Sequence, residues 1–463
     1  MNDACTVLWI DDGVAFFEFQ VKTSLKSDPE RIDDETLKPT NAECFIPYQS
    51  VSHIRAPRLT IYTQQMSATA TFDNWMDPPH NRWAFHHIAD LMNTSPISNQ
   101  GASVSALPRR PLDLDNISFL ALDGSTTNWN RHLRETYCDA ICVIHDGHII
   151  DERYFNGLDE GSLHLLMSVT KSMTAAALGV AIGRGLLSIN DQVTTIAPEF
   201  AGTSLEGCTV RHLIDMTAGT DFVEDYDLYL DPDSDSVLIE YERQAGYRPL
   251  GNSLAIGVLK HFATYANARP HGTRFDYRSP LTNIVARILE IVNGIPFNEV
   301  LSRDIWAPFG MEHRANILID PLGFPAAEGG MSCSIRDLAR FGLAYLNDGV
   351  INEQAVLPES WVQDTREGDD DARNCYASYV QTSPDTSFEG DNWSMYHNAF
   401  WVVERNQQFS GLGIFGQYCW IHRPSRTVIA RFSTYPSASP SALSAETLRG
   451  FNAVAQALIS RPR

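Results

Sequence analysis

The run of apolar and polar positions divides the chain into an irregular N-terminal stretch, an early pair of strands, a helical middle and a group of late strands. Near the start, apolar runs at 6–10 and 14–21 flank Asp11-Asp12-Gly13, which predicts a hairpin. Residues 24–41 are rich in Ser, Asp, Pro, Glu and Thr, and 63–71 in Thr, Gln and Ser, so residues 1–70 read as an N-terminal extension of unknown role. The main body is expected over 71–463. Within it, 97–116 reads as a surface loop. Residues 140–144 and 148–154 are apolar strands around Asp146-Gly147, a strong hairpin signal.

From Ser168 to Leu187 the chain is Ala-rich and apolar on every face, which predicts a buried helix with Ser168 at its start. Shorter helical patterns follow at 210–216 and 254–266, separated by an acidic stretch over 221–242. Helices are expected at 282–292, 335–347 and 448–459, an acidic loop at 365–374, and adjacent antiparallel strands at 400–404, 412–421 and 427–433. Strands at both ends of this order predict one sheet built from both, with a helical lobe inserted at about 188–270.

Composition narrows the class. The 463 residues are 43% hydrophobic and 20% charged, as in an ordinary globular protein. A net charge of -22 and a pI near 5.0 argue against nucleic acid and anionic membranes as partners. No apolar stretch is long enough to predict a membrane span, and no basic-then-apolar leader is visible at the N-terminus. The eight cysteines form no C-x-x-C pair, so a reduced, cytoplasmic setting is expected. His80, His86 and His87 lack a zincin spacing, and the acidic run 221–235 lacks the pattern of a calcium loop, so no metal is expected. The acidic run reads instead as a solvated rim.

The candidate chemistry rests on lysine. There are only five, three of them within the first forty residues, and Lys171 stands three positions after Ser168 in the single S-x-x-K of the chain. Residues three apart share a helix face, so hydroxyl and amine can meet. A desolvated Lys can give up its proton where Arg cannot, and a serine hydroxyl needs such a base to become a nucleophile. Tyr277, just before the 282–292 helix, is the candidate third member, shuttling a proton to the leaving group.

These residues, with several separated segments, resemble the serine β-lactamase and penicillin-binding-protein superfamily, especially class C-like esterases and 6-aminohexanoate-dimer (nylon oligomer) hydrolases. The matching segments run in the family's order: Pro79-His80-Asn81-Arg82-Trp83, Ser168-Val169-Thr170-Lys171, Glu224-Asp225-Tyr226, Arg243-Gln244-Ala245-Gly246, Tyr277-Arg278-Ser279, Gly329-Gly330-Met331-Ser332, Arg336-Asp337-Leu338-Ala339-Arg340 and Gly411-Leu412-Gly413-Ile414-Phe415-Gly416-Gln417. The resemblance implies an α+β fold of the β-lactamase/DD-peptidase type, an antiparallel sheet flanked by helices with the helical lobe inserted. It implies a serine hydrolase with Ser168 as acylated nucleophile. Lys171 would take its proton or hold the tyrosine deprotonated, and Tyr277 would act as general base and then protonate the leaving group. The N–H groups of Ser168 and Ile414 would form the oxyanion hole, and Tyr226, Glu242, Phe415 and Gln417 would meet the substrate. No cofactor is implied.

Three departures shape the expected substrate. Phe415 stands where nylon-oligomer hydrolases have histidine, no lysine follows Lys260 to clamp a carboxylate, and Pro436-Ser437-Ala438-Ser439-Pro440 lacks the acids found near there in nylon-oligomer hydrolases. The missing lysine speaks against a β-lactam, and the missing acids against a cationic amine, so a neutral, small-molecule ester or amide with an apolar acyl part is expected. The same acyl-enzyme could pass its acyl group to an alcohol or amine instead of water. A non-catalytic binding protein on this fold is the rival class, and the presence of Ser168, Lys171 and Tyr277 together speaks against it. A homodimer is left open.

Overall fold

In the computed structural model, residues 5–11, 14–19, 70–226, 236–382, 393–403 and 407–460 are described, the first two segments for their backbone only. The stretch at 24–41 rich in Ser, Asp, Pro, Glu and Thr and the link at 63–71 lie outside them, apart from the last two residues of that link. The chain divides into two units, Met1–Arg58 and Leu59–Arg463. In the first, strands Cys5–Asp11 and Val14–Phe19 pair antiparallel, as the hairpin pattern predicts.

The second unit is α+β, built on a seven-stranded antiparallel sheet. Its strand order is Trp393–His397, Phe400–Val403, Gln408–Gly413, Gln417–His422, Thr427–Ser433, Cys138–His145, His148–Tyr154. Both ends of the unit's sequence therefore meet in one sheet, through the pairing of Thr427–Ser433 with Cys138–His145. Alternation along the Gln417–His422 strand shows why helices cover both faces. Tyr418 and Trp420 point to Phe451 of the C-terminal helix Ser441–Ile459. Cys419, between them, faces Gly342 of helix Ile335–Leu346 on the other side, where an added Cβ would come within 3.0 Å of its sulfur. The buried, Ala-rich helix Val169–Gly183 shares that second side, and small side chains let it pack closely. A smaller four-stranded sheet, ordered Thr94–Ile97, Ala315–Leu318, Met331–Cys333, His164–Leu165, leads the chain into this helix.

The pattern misreads three places. The expected strand 412–421 is two strands, because Phe415 (φ 62°) and Gly416 (φ 90°) turn the chain between Gly413 and its partner Gln417. The expected acidic loop at 365–374 is mostly helical, spanning the end of helix Glu359–Glu367 and the start of helix Asp370–Thr382. Its acids favour a helix start: the Asp369 carboxylate accepts the Ala372 N–H at 2.7 Å, and Ala372, Cys375, Tyr376 and Tyr379 form a buried stripe at helical spacing. The helix expected at 254–266 is only Val258–Phe262, since Gly257 enters at φ 80° and Ala263 ends it.

The lobe is tied to the sheet by a buried ionic cluster. His397, at the end of an edge strand, places Nδ1 2.9 Å from the Asp215 carboxylate and Nε2 3.3 Å from that of Asp364. Arg211, from helix Val210–Ile214, reaches Asp364 at 2.9 Å and the Asn398 side chain at 2.7 Å. Burial alone works against charge on His397, but Asp215, and hydrogen bonds to both carboxylates, raise its pKa to about 9. The contribution of this histidine is therefore complete below its unfolded value near 6.5 and is lost as pH rises through about 9. Urea unfolding of the wild type is expected to weaken by on the order of 3 kcal/mol over that window. In His397→Gln the decline should flatten; an equally steep decline in that variant would place its cause elsewhere.

Candidate active site

The site begins with the turn that delivers Ser168. Leu165 pairs with Ser332, and the Leu166 N–H donates to Met331 at 2.8 Å, which fixes the strand just before the helix. Met167 then adopts φ 47°, a left-handed conformation that side-chain-bearing residues hold only when their surroundings enforce it. Here the strand Gln408–Gly413 presses against the turn: a Cβ on Gly413 would lie 2.5 Å from the Leu166 carbonyl, and one on Gly411 would lie 2.8 Å from Ser172 Oγ. Ser168 follows as N-cap of Val169–Gly183, but its side chain does not cap the helix. The hydroxyl is left for other work.

That hydroxyl accepts from Lys171 Nζ at 2.7 Å. The amine also donates to the Glu328 backbone carbonyl at 2.7 Å and is 1% exposed. Burial lowers its pKa to about 8, opposed by the charges of Glu224 and Glu328. Tyr277 hydrogen-bonds Ser168 as well, and the Lys171 amine stands 5.0 Å from the centre of its ring. Burial, then the charge of Glu224, pushes the Tyr277 phenol well above its usual value.

Tyr277 is held by its neighbours in sequence and space. Arg278 is buried and donates to the carbonyls of Phe222 (2.7 Å) and Ala218 (2.8 Å). Ser279 opens helix Pro280–Asn293 and gives both its N–H (2.6 Å) and its hydroxyl (2.7 Å) to the Glu224 carboxylate. Trp401 stacks on the tyrosine ring at 5.8 Å and 17°.

Two cavities meet at Ser168. One, of about 510 Å³, is walled by Tyr226, Tyr277, Trp401, Leu412, Ile414 and Tyr418, with Ser439 and Ser444 at its edge. No charged residue lines it. The other, of about 380 Å³, contains Lys171 and three acids, Glu224, Glu242 and Glu328. Ile414 lines both, and neither its N–H nor that of Ser168 donates to an acceptor among the described residues. Two free N–H groups beside the Ser168 hydroxyl are of the kind that can receive a developing oxyanion.

Of the residues singled out in the sequence, Ser168, Lys171, Tyr277, Tyr226, Ile414 and Glu242 come together here. Glu242 is buried and ion-paired with Arg248 at 2.5 Å. Phe415 and Gln417 do not line either cavity. The φ of 62° turns the Phe415 side chain into the core, edge-on to Phe85 at 5.1 Å. Gln417 is fully buried; its amide donates to Ser433 (2.6 Å) and Ile414 (3.4 Å) carbonyls and braces the turn that carries Ile414. The sequence reading missed Glu328 and took Glu224 for part of a solvated rim. Glu224 also accepts the Tyr226 hydroxyl and so joins the two tyrosines' segments. The one signal for Glu328 was an acid set in the otherwise apolar and glycine run 324–331. Residues 227–235 of the acidic stretch lie outside the described residues.

Among the described residues no group of three or more His, Cys, Asp or Glu is arranged to hold a metal ion, and no helix is long and apolar enough to cross a membrane.

Comparison with known proteins agrees with this geometry. Residues 128–451 match the family model described as Beta-lactamase. The chain is 31% identical over 375 residues to a 6-aminohexanoate-dimer hydrolase of Paenarthrobacter ureafaciens, covering 81% of this chain and 91% of that one. Its fold is similar to a solved candidate 6-aminohexanoate-dimer hydrolase from Bacillus anthracis, with a TM-score of 0.74 at 24% identity, over 86% of this chain and 99% of the other. It is also similar, with a TM-score of 0.52 at 15% identity, to EstCE1, a hydrolase with promiscuous acyltransferase activity, over 71% of this chain and 98% of that one. With a family match over residues 128–451 and a relative 31% identical over 81% of its length, the chain belongs to the beta-lactamase family of hydrolases.

Proposed function

We propose that this protein is a serine hydrolase that cleaves carboxylic esters or linear amides through an acyl-enzyme on Ser168. The observation that carries the reading is the 2.7 Å contact between a buried lysine amine and the Ser168 hydroxyl. Lys171, with its pKa lowered to about 8, is neutral in a useful fraction of molecules near neutral pH and takes the Ser168 proton. Oγ attacks the substrate carbonyl, and the N–H groups of Ser168 and Ile414 receive the oxyanion. Tyr277, whose phenol stays protonated, gives its proton to the departing oxygen or nitrogen and is reprotonated from Lys171. Water then attacks the ester, with the same groups working in reverse. This assigns the base to Lys171 and the acid to Tyr277. The uncharged cavity walled by Trp401, Leu412 and Tyr418 suits an apolar portion of the substrate.

A short-chain p-nitrophenyl ester tests the scheme through a pre-steady-state burst of one p-nitrophenol per chain. Steady release from the first turnover at any substrate concentration, with no change in mass, would argue against an accumulating acyl-enzyme. Tyr277→Phe separates the two proton roles. An amide leaving group must be protonated, whereas p-nitrophenolate departs unaided. The variant should lose about 10²–10⁴-fold in kcat/KM on an amide and at least tenfold less on the p-nitrophenyl ester of the same acid. Equal losses on both would remove Tyr277 from leaving-group protonation.

A further inference from the structure

The mechanism above leaves one buried acid without a task. Glu328 is 3% exposed and sits where the chain turns into strand Met331–Cys333. Its backbone carbonyl accepts from Lys171 Nζ at 2.7 Å, so the residue that anchors the amine also carries the carboxylate. The Tyr241 hydroxyl donates to carboxylate Oε1 at 3.0 Å, and Asn283 donates to that same hydroxyl at 2.7 Å. The carboxylate lies in the wall of the cavity that Ser168 and Lys171 also line, and the Asn283 amide acts on it as well as the Tyr241 hydroxyl. A buried carboxylate is costly unless a charge compensates it or a proton neutralises it.

We propose that Glu328 is a positioning residue for the reaction, its charge acting on Lys171 in the wall of the shared cavity and thereby setting the pH at which the lysine becomes a base. The inference rests on the Ser168–Lys171 reading of the site. When Glu328 is ionised it holds the proton on Lys171, and when it is protonated it releases that hold. The two groups lie in a range where this exchange is accessible: burial raises Glu328 to about 7, countered by its own backbone N–H and by Lys171. The other titratable groups around the pair are Glu224 and Tyr277 toward Lys171, and Tyr241, with Tyr247 and Glu224 acting on it. Glu224 also acts on Lys171, and more strongly, but its oxygens are engaged by Ser279 and Tyr226. Glu242, in the same cavity, is engaged by Arg248.

The test is the rate at which a fluorophosphonate labels Ser168, followed by intact mass as a function of pH. In the wild type the rate should rise with pH as Lys171 loses its proton. In Glu328→Gln the attraction holding that proton is gone, and the midpoint of the rise should move to lower pH by roughly one unit or more. Glu328→Asp, which keeps the charge, should return it toward the wild-type value. A purely structural role would lower the rate without moving the midpoint, so an unmoved midpoint in a labelled Glu328→Gln overturns the proposal. If Glu328→Gln does not fold, Tyr241→Phe decides instead. It removes a bond to the ionised carboxylate, so it should shift the midpoint in the same direction but less; no shift there overturns the proposal as well. Absence of any labelling in the wild type would instead reject the nucleophile reading itself.

Discussion

Alanine at position 168 is expected to lower kcat by 10⁴-fold or more, equivalent to at least about 5 kcal/mol of transition-state stabilisation, while leaving the fold in place. The first half of that expectation follows from the single covalent role given to Oγ. The second follows from local structure. Ser168 occupies the N-cap, where loss of a capping hydroxyl ordinarily costs about 1 kcal/mol, but here the hydroxyl makes no cap bond. Its removal takes from Lys171 one of two hydrogen bonds and leaves the one to Glu328. Thermal unfolding of the variant should therefore stay within a few degrees of wild type. A folded Ser168→Ala with substantial turnover of both esters and amides would require a different nucleophile.

Lys171 gives the second large effect, and the choice of replacement is what makes it informative. Lys171→Met keeps the length of the buried stem and removes the amine. It should cost 10³-fold or more in kcat/KM with little loss of stability, because exchanging a buried charge for an apolar group of similar volume is often neutral or stabilising. Lys171→Arg keeps the charge but cannot release a proton, so it should be as inactive as Met if the lysine is a base. If the lysine served only as a fixed positive charge, Arg would restore much of the activity. Parallel kinetics of the two variants on one p-nitrophenyl ester distinguish these cases, since that leaving group makes little demand on Tyr277.

The parts of this site legible in the sequence are those whose spacing is local. Ser168 and Lys171 lie one helical turn apart, and the surrounding Ala-rich run announces a buried helix, so both their proximity and the desolvation of the amine could be read. The sheet was legible for a similar reason: strand-like runs bounded the helical block on both sides, and Cys138–His145 does pair with Thr427–Ser433. What failed depended on tertiary placement. Whether an acid is solvated or buried is decided by what packs on it, so Glu224 looked like a rim residue in a charged stretch, and Glu328 carried no periodic signal at all. Phe415 and Gln417 failed through a turn. A two-residue reversal in the left-handed region sends the Phe415 side chain to the core side, and an apolar run that reads as one strand conceals it. The acidic segment near Asp370 was mistaken because charge was weighed above the buried stripe Ala372, Cys375, Tyr376 and Tyr379.

The most direct test of the central claim is the intact mass of the protein after incubation with a fluorophosphonate and, separately, with a short-chain p-nitrophenyl ester, with Ser168→Ala treated alongside. The account predicts one covalent adduct per chain with each reagent, located on Ser168 by peptide mapping and absent from the variant. A folded wild-type protein that takes up neither reagent, or an adduct that persists in Ser168→Ala, would contradict it.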